Sequence, residues 1–206
     1  MAHVLNKLLA LAIAENPIFN QLILGSTLYQ MEEIHIANAI LLPGKEQALT
    51  YVVYENSHQK SLKEIQQESI MKMVQATKTY AKTKDSLGTR LTALYFKTGL
   101  NRLVPEKTAF AVGFKNGLIS NIILSNHDYG EPAYFNVLKP VTMNVPLRIH
   151  SHGTPLRPLV ENGTVTAKRV FSLTVIVDHR IMHGVHGQQF GRSIARIAAD
   201  PSRYLL

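Results

Sequence analysis

The sequence predicts an α/β fold, a two-layer sandwich in which helices cover a mixed β-sheet. Two observations carry this. Segments with apolar residues at helical spacing and β-branched, strand-like runs both recur, but without the regular alternation that builds a parallel doubly wound sheet. The 206 residues, 46% of them hydrophobic, suit one domain with a substantial core. No Ser/Gly/Pro-rich spacer, low-complexity tract or internal repeat divides the chain, so residues 1–206 are read as a single domain.

Leu5, Leu8, Leu9, Ala12 and Ile13 form one apolar stripe of a helix over residues 4–15, and Asn16-Pro17 stops it. Residues 20–28 lead toward the sheet. Strands are expected over 34–42 and 49–55, joined as a hairpin through Pro43-Gly44-Lys45-Glu46. Ser61-Leu62-Lys63-Glu64 starts a helix, because the serine can cap it and the glutamate three residues on can reach back. That helix carries Ile65, Ile70, Met73 and Val74 to about Lys82. A further helix is expected over 86–103, then strands over 109–114, 118–124 and 141–149, with Asn116-Gly117 turning between the first two. Arg157 to Val165 reads as strand, turn and strand, feeding a strand over 170–177. A last helix runs over 185–199 until Asp200-Pro201 ends it.

Composition narrows the function. With no cysteine there is no disulfide frame, thiolate metal site or cysteine nucleophile, which suits a reducing, cytoplasmic compartment. No apolar run is long enough to span a membrane. The net charge of +8 favours polyanions in general. Its basic residues are dispersed, however, without the Lys/Arg block or interleaved aromatics of a base-stacking surface, so nucleic acid is not the expected partner. A phosphate-bearing small molecule suits this surface equally well.

The most informative stretch lies near the end of the chain. Phe171 to Asp178 is a β-branched run that stops at His179; a glycine-bearing turn follows, then a helix with Phe190, Ile194, Ile197 and Ala198 on one side. A histidine at the end of a buried strand is held rigidly and can face a cleft, as a general base must. A rival reading uses the spacing of His179, His183 and His186, which would share a helix face and could bind a metal, with His127, His150 and His152 nearby in sequence. Gly184 and the preceding strand argue for a turn there, no carboxylate stands at a fitting position, and no metal is expected.

Asp178-His179-Arg180-Ile181-Met182-His183-Gly184 resembles the D-H-R-x-x-D-G signature of the catalytic domain of 2-oxoacid dehydrogenase acyltransferases, a family that shares its fold with chloramphenicol acetyltransferase. Other pieces recur in the family's order. Glu15-Asn16-Pro17-Ile18-Phe19-Asn20 resembles its E/H-P-x-L-N phrase, Lys60 to Ile65 its K-S-L-x-E-I, and Leu124-Ser125-Asn126 its I-S-N. Arg157 to Gly163 resembles R-P-V-V-x-D-G, and Asp200 to Leu206 resembles D-P-E-R-L-L-L.

The resemblance implies an acyltransferase that moves an acyl group between coenzyme A and a thiol such as dihydrolipoamide, or another small acceptor. His179 would be the general base and Ser125 the donor to the oxyanion, the two supplied by neighbouring subunits of a homotrimer. Asn126 and Arg180 are the positions expected to contact coenzyme A. Expected partners are a lipoyl-bearing protein, its lipoyl group presented in trans, and other 2-oxoacid dehydrogenase components; no metal enters the chemistry.

Four departures accompany it, the first being a stretch between about Lys82 and Ala109 that is longer than in the family's complex-bound enzymes. The motif's acid is His183 here; the serine segment continues His127-Asp128-Tyr129-Gly130 in place of the family's glycine turn; and the domain is expected to be shortened at its N-terminus, with no lipoyl domain. That shortening is expected to remove an arginine partner, so that an aspartate at position 183 would stand unpaired and partly buried. The last three departures suit an alternative, a non-catalytic trimeric scaffold or binding descendant of the family.

Overall fold

The structure is a computed structural model that describes residues 2–24, 27–41, 49–83, 122–127, 147–152 and 156–205. Helix α1 spans Ala2–Glu15 and buries the whole expected stripe. It is more deeply set than one stripe requires, because Asn6, Lys7 and Ala10 are buried as well. Lys7 is accommodated by donating from Nζ to the carbonyls of His58 (2.9 Å) and Lys60 (2.6 Å), while burial pushes its ammonium below the usual lysine range. Asn16 ends the helix by donating from Nδ2 to the Ala12 carbonyl at 2.7 Å, and Pro17 opens a 3-10 turn to Asn20.

The stretch expected to lead into the sheet instead makes a small sheet of its own. Strands β1 (Gln21–Leu24) and β2 (Thr27–Gln30) pair antiparallel with Leu22 opposite Tyr29. The next two strands, β3 (His35–Leu41) and β4 (Leu49–Glu55), pair antiparallel as expected; the joining Pro43 to Glu46 lies outside the described residues. Helix α2 (Leu62–Thr83) carries the expected capping box. The Ser61 backbone N–H donates to Glu64 Oε2 at 2.7 Å, and the Glu64 N–H donates to Ser61 Oγ at 3.3 Å.

The helix expected over 86–103, the strand over 109–114 and the Asn116-Gly117 turn lie outside the described residues. Strand β5 covers Ile122–His127 and β6 covers Leu147–His152, so both extend three residues beyond the sequence expectation. Hydrogen bonding explains it: β5 is flanked by β3 and β6, whose ladders override the turn preference of Ser125-Asn126. Strands β7 (Leu156–Glu161) and β8 (Thr164–Arg169) form a separate hairpin. Its two-residue turn places Asn162 (φ 49°) and Gly163 (φ 79°) in the left-handed region that such turns require. Strand β9 is Leu173–Val177, starting later than expected; α3 is Gly184–Ala199 and α4 is Pro201–Tyr204.

The main sheet runs β4-β3-β5-β6-β9, with β3, β5 and β6 parallel and the outer two strands antiparallel. It is the mixed sheet the sequence predicts. One alternate set of strand residues, Ile36, Leu147 and Ile149, packs into a cluster with Leu9 and Ile13 of α1 and with Phe190 and Ile197 of α3. Val52 and Tyr54 on the same face meet Ile65 of α2. Phe19 and Phe190 stack at 4.3 Å between ring centroids. Among the described residues, no helix is long and apolar enough to cross a membrane.

Candidate active site

The chain leaves β9 through a turn that Asp178 builds. Its carbonyl accepts from the backbone N–H groups of Ile181 and Met182, both at 3.0 Å. Its Oδ1 accepts from the Arg180 N–H at 3.0 Å, an Asx turn. The Arg180 guanidinium then closes on the same carboxylate, with Nε 3.0 Å from Oδ1 and 3.1 Å from Oδ2. These hydrogen bonds from Arg180 hold the Asp178 carboxyl below the usual carboxylate range. Ile181 and Met182 anchor the far side of the turn in the core. Between these fixed points His179 is exposed. Aspartate makes the turn, arginine locks it, and the histidine is left at the corner.

His179 opens onto a groove of about 210 Å³ lined by Val175, Val177, His183, Phe190 and Ile194 and by Gly184, Gly187 and Gly191. A Cβ added at any of the three glycines would meet nothing within 4 Å. The protomer's own packing therefore does not demand them, although each glycine in a helix costs about 0.5–1 kcal/mol relative to alanine. Their spacing was visible in the sequence, but their place on the floor of this groove required the fold.

His183 is the N-cap of α3, its backbone extended (φ −113°, ψ 172°). Gly184 is thus the first helical residue and not part of the turn. The His183 N–H donates to Nδ1 of His186 at 3.0 Å, so the neutral His186 ring carries its proton on Nε2. The rings of His179 and His183 meet edge to face at 5.3 Å, and those of His183 and His186 lie 5.8 Å apart. The three histidines do not share a helix face, since His179 sits in the turn and His183 at the cap. Among the described residues no group of three histidine or acidic side chains is placed to hold a metal ion.

Ser125 and Asn126 lie inside β5, with Ser125 in register with His150 of β6, and His150 in register with Thr174 of β9. Val177 is level with Leu147 and Ile122, three residues from the Ser125 level. Strand rise and spacing then separate Ser125 from Val177 by about 14 Å, and His179 follows Val177 on the side away from Ser125. Within one protomer the serine and the histidine stand toward opposite ends of the sheet.

The fold is that of dihydrolipoamide acetyltransferase cores. It matches a probable dihydrolipoamide acetyltransferase from Listeria monocytogenes with a TM-score of 0.68 and 18% identity, over 96% of this chain and 70% of that one. It matches the Azotobacter vinelandii dihydrolipoamide acetyltransferase with a TM-score of 0.66 and 19% identity, over 100% of this chain and 70% of that one. It also matches a truncated catalytic core of the 2-oxoacid dehydrogenase multienzyme complex from Thermoplasma acidophilum, with a TM-score of 0.57 and 16% identity, over 95% of this chain and 74% of that one. At these identities the likeness is one of fold.

Sequence likeness is narrower and falls on the site: the family model for the catalytic domain of 2-oxoacid dehydrogenases acyltransferase matches residues 145–206. Those residues carry β6, the hairpin, β9, the His179 turn and the last two helices. A comparison with curated protein sequences finds no match. The family resemblance read from the motifs is thus found again in the fold and in this matched segment.

Proposed function

We propose that this protein is an acyltransferase that moves an acyl group between coenzyme A and a thiol acceptor of the dihydrolipoamide type. The observation that carries the reading is His179, exposed on a turn fixed by Asp178 and Arg180, facing an open apolar groove within the segment that matches the family model. His179 takes the proton of the acceptor thiol as the thiolate forms a C–S bond to the acyl carbonyl. The Ser125 hydroxyl donates to the tetrahedral oxyanion. Collapse breaks the C–S bond to coenzyme A, whose sulfur receives the proton from His179.

The separation of Ser125 from His179 within one chain supports a homotrimer in which each site takes its serine from one subunit and its histidine from the next. Arg180 and Asn126 are proposed to contact coenzyme A, Arg180 from a guanidinium already positioned by Asp178. The acyl acceptor is a lipoyl group presented in trans by a separate chain of a 2-oxoacid dehydrogenase complex in the cytoplasm. The packing of α1, α2 and α3 residues on one set of sheet residues supports the two-layer sandwich.

The Azotobacter vinelandii relative is described by the role of a serine, a histidine and an asparagine in its catalysis, the asparagine four residues after the histidine. His183 stands at that spacing here. Like an amide, a neutral imidazole offers both a donor and an acceptor, which favours a working site. The second reading, a non-catalytic scaffold, draws on the contact of His183, among the described residues, with His186 and not with an arginine.

Turnover of acetyl-coenzyme A with dihydrolipoamide decides between them. His179→Ala should lower the rate by about 10²- to 10⁴-fold, and Ser125→Ala by about 10²- to 10³-fold. Mixing the two inactive variants should restore part of the activity through composite sites. Full activity in His179→Ala places the base elsewhere, and an inactive parent protein favours the scaffold.

A further inference from the structure

Helix α2 turns its most apolar residues outward. Its sequence groups Ile70, Met73 and Val74 with Ile65 as one apolar set, yet only Ile65 is buried. The second half of the helix meets the sheet through small and polar side chains instead. Ser69 Oγ lies 2.9 Å from Tyr54 Oη. Lys72 pairs with Glu68, donates to the Val53 carbonyl and lies over the Tyr54 ring, and Ala76 packs on the cluster of Val52, Tyr54 and Ile65. With about 3.6 residues per turn, the side opposite Lys72 and Ala76 is shared by Lys63, Ile70, Val74 and Lys78, with Met71 and Met73 on its two flanks. Ile70 is 59% exposed, Met71 65%, Met73 44% and Val74 50%. A contiguous apolar face of this kind marks a docking surface.

Charge shows what the face fits. Both glutamates of the helix are engaged within the chain, Glu64 by Ser61 and Glu68 by Lys60 and Lys72. Lys63 and Lys78 are exposed and take part in no hydrogen bond or ion pair among the described residues. At a rise of about 1.5 Å per residue they stand about 22 Å apart, one beyond each end of the apolar patch. We propose that this face docks an acidic amphipathic helix of a partner protein, its apolar stripe on Ile70, Met71, Met73 and Val74 and a carboxylate near each end for Lys63 and Lys78. The methionines suit such a contact, because their unbranched side chains adapt to the shape of an apolar partner. Seating in a lipid surface calls for Trp, Phe or Leu, which the outward stripe lacks, so a protein helix is the better match. The face lies on α2, whereas the His179 groove is lined by β9, α3 and the turn between them; docking here is therefore independent of acyl transfer.

The test uses the full chain and a fluorescein-labelled synthetic peptide of about 20 residues, with leucines at i, i+3, i+4 and i+7 in its middle and glutamates at both ends. Its fluorescence anisotropy should rise saturably with protein concentration. Lys63→Glu with Lys78→Glu should weaken binding by about tenfold or more, and the same variant should bind a peptide in which lysines replace the glutamates. Ile70→Ser with Val74→Ser should weaken binding of the acidic peptide to a similar extent. All four positions are exposed, so far-UV circular dichroism and melting temperature should match the parent.

A parent protein that leaves the anisotropy unchanged overturns the proposal. Binding that survives the charge exchange also overturns it, and places the acidic peptide on the basic surface of the molecule at large. Sedimentation with phosphatidylserine vesicles that is lost in Ile70→Ser with Val74→Ser gives the face to a lipid surface. A solution mass that falls in that variant gives it to a second copy of the chain. Either result overturns the proposal.

Discussion

Arg180 grips Asp178 twice, once through its backbone N–H and once through its guanidinium, and both bonds reach across His179 without touching it. The order of the three residues therefore has a mechanical meaning: the carboxylate and the guanidinium fix the corner at which the imidazole is presented. Asp178→Asn keeps the size and one acceptor oxygen but loses the charge that holds the guanidinium. It should slow transfer by about 10- to 100-fold through misplacement of His179. Because Arg180 is largely exposed, the cost in stability should be only about 1 kcal/mol.

The same pair sets a pH dependence. The Asp178 carboxyl is held below its usual range by the hydrogen bonds from Arg180, so its contribution is fully present above the unfolded-state value of about 3.9. It is lost as the pH falls through the lower folded-state value. Thermal melts should show parent and Asp178→Asn differing by a constant amount near neutrality and converging below about pH 4. A difference that stays constant into strong acid would show that the carboxylate charge does not brace the turn.

Phe190 ties the site to the core. It lines the groove beside His179 and stacks on Phe19, in a cluster with buried Ile13 and Leu9. Phe190→Ala should destabilise the fold by about 3–5 kcal/mol. Phe190→Leu, which keeps most of the apolar volume, should cost clearly less and leave His179 working. Chemical denaturation of the three proteins, read beside transfer rates, tests both statements.

How much was legible in the sequence follows from where the forces are local. The Ser61–Glu64 capping box, the Asn162-Gly163 turn and the α1 stripe are decided within a few residues, and the structure contains all three. His179 at the end of a strand was legible for the same reason. The lengthening of β5 through Ser125 was not, because it depends on β3 and β6, strands remote in sequence that supply its hydrogen bonds. Nor was the cap role of His183, since histidine is not among the residues that usually start helices. The histidine spacing that suggested a shared helix face failed because the helix begins at Gly184, which leaves His183 at the cap and His179 in the turn before it.

That cap reverses the expectation for the motif's missing acid. In sequence terms an aspartate at position 183 was expected to be an unpaired, partly buried carboxylate that would weaken the fold. The structure exposes His183 and gives it the extended backbone of an N-cap, followed by the N–H groups of the first turn of α3, of which that of His186 already donates to the His183 carbonyl at 3.0 Å. An aspartate there can accept from those N–H groups, and its charge faces the positive end of the helix dipole. His183→Asp should therefore stabilise the protein by about 0.5–1 kcal/mol. Its effect on catalysis runs through His179, whose ring contacts that of His183 edge to face at 5.3 Å. A neighbouring carboxylate favours the charged imidazolium, so the acid limb of the pH–rate profile should move to higher pH in the variant, with the plateau rate retained. Thermal melts and transfer rates across pH 5 to 9 measure the two effects separately. A lower melting temperature would show that the cap is not available to a carboxylate, and an unmoved acid limb would show that His179 is not the group whose protonation limits the reaction.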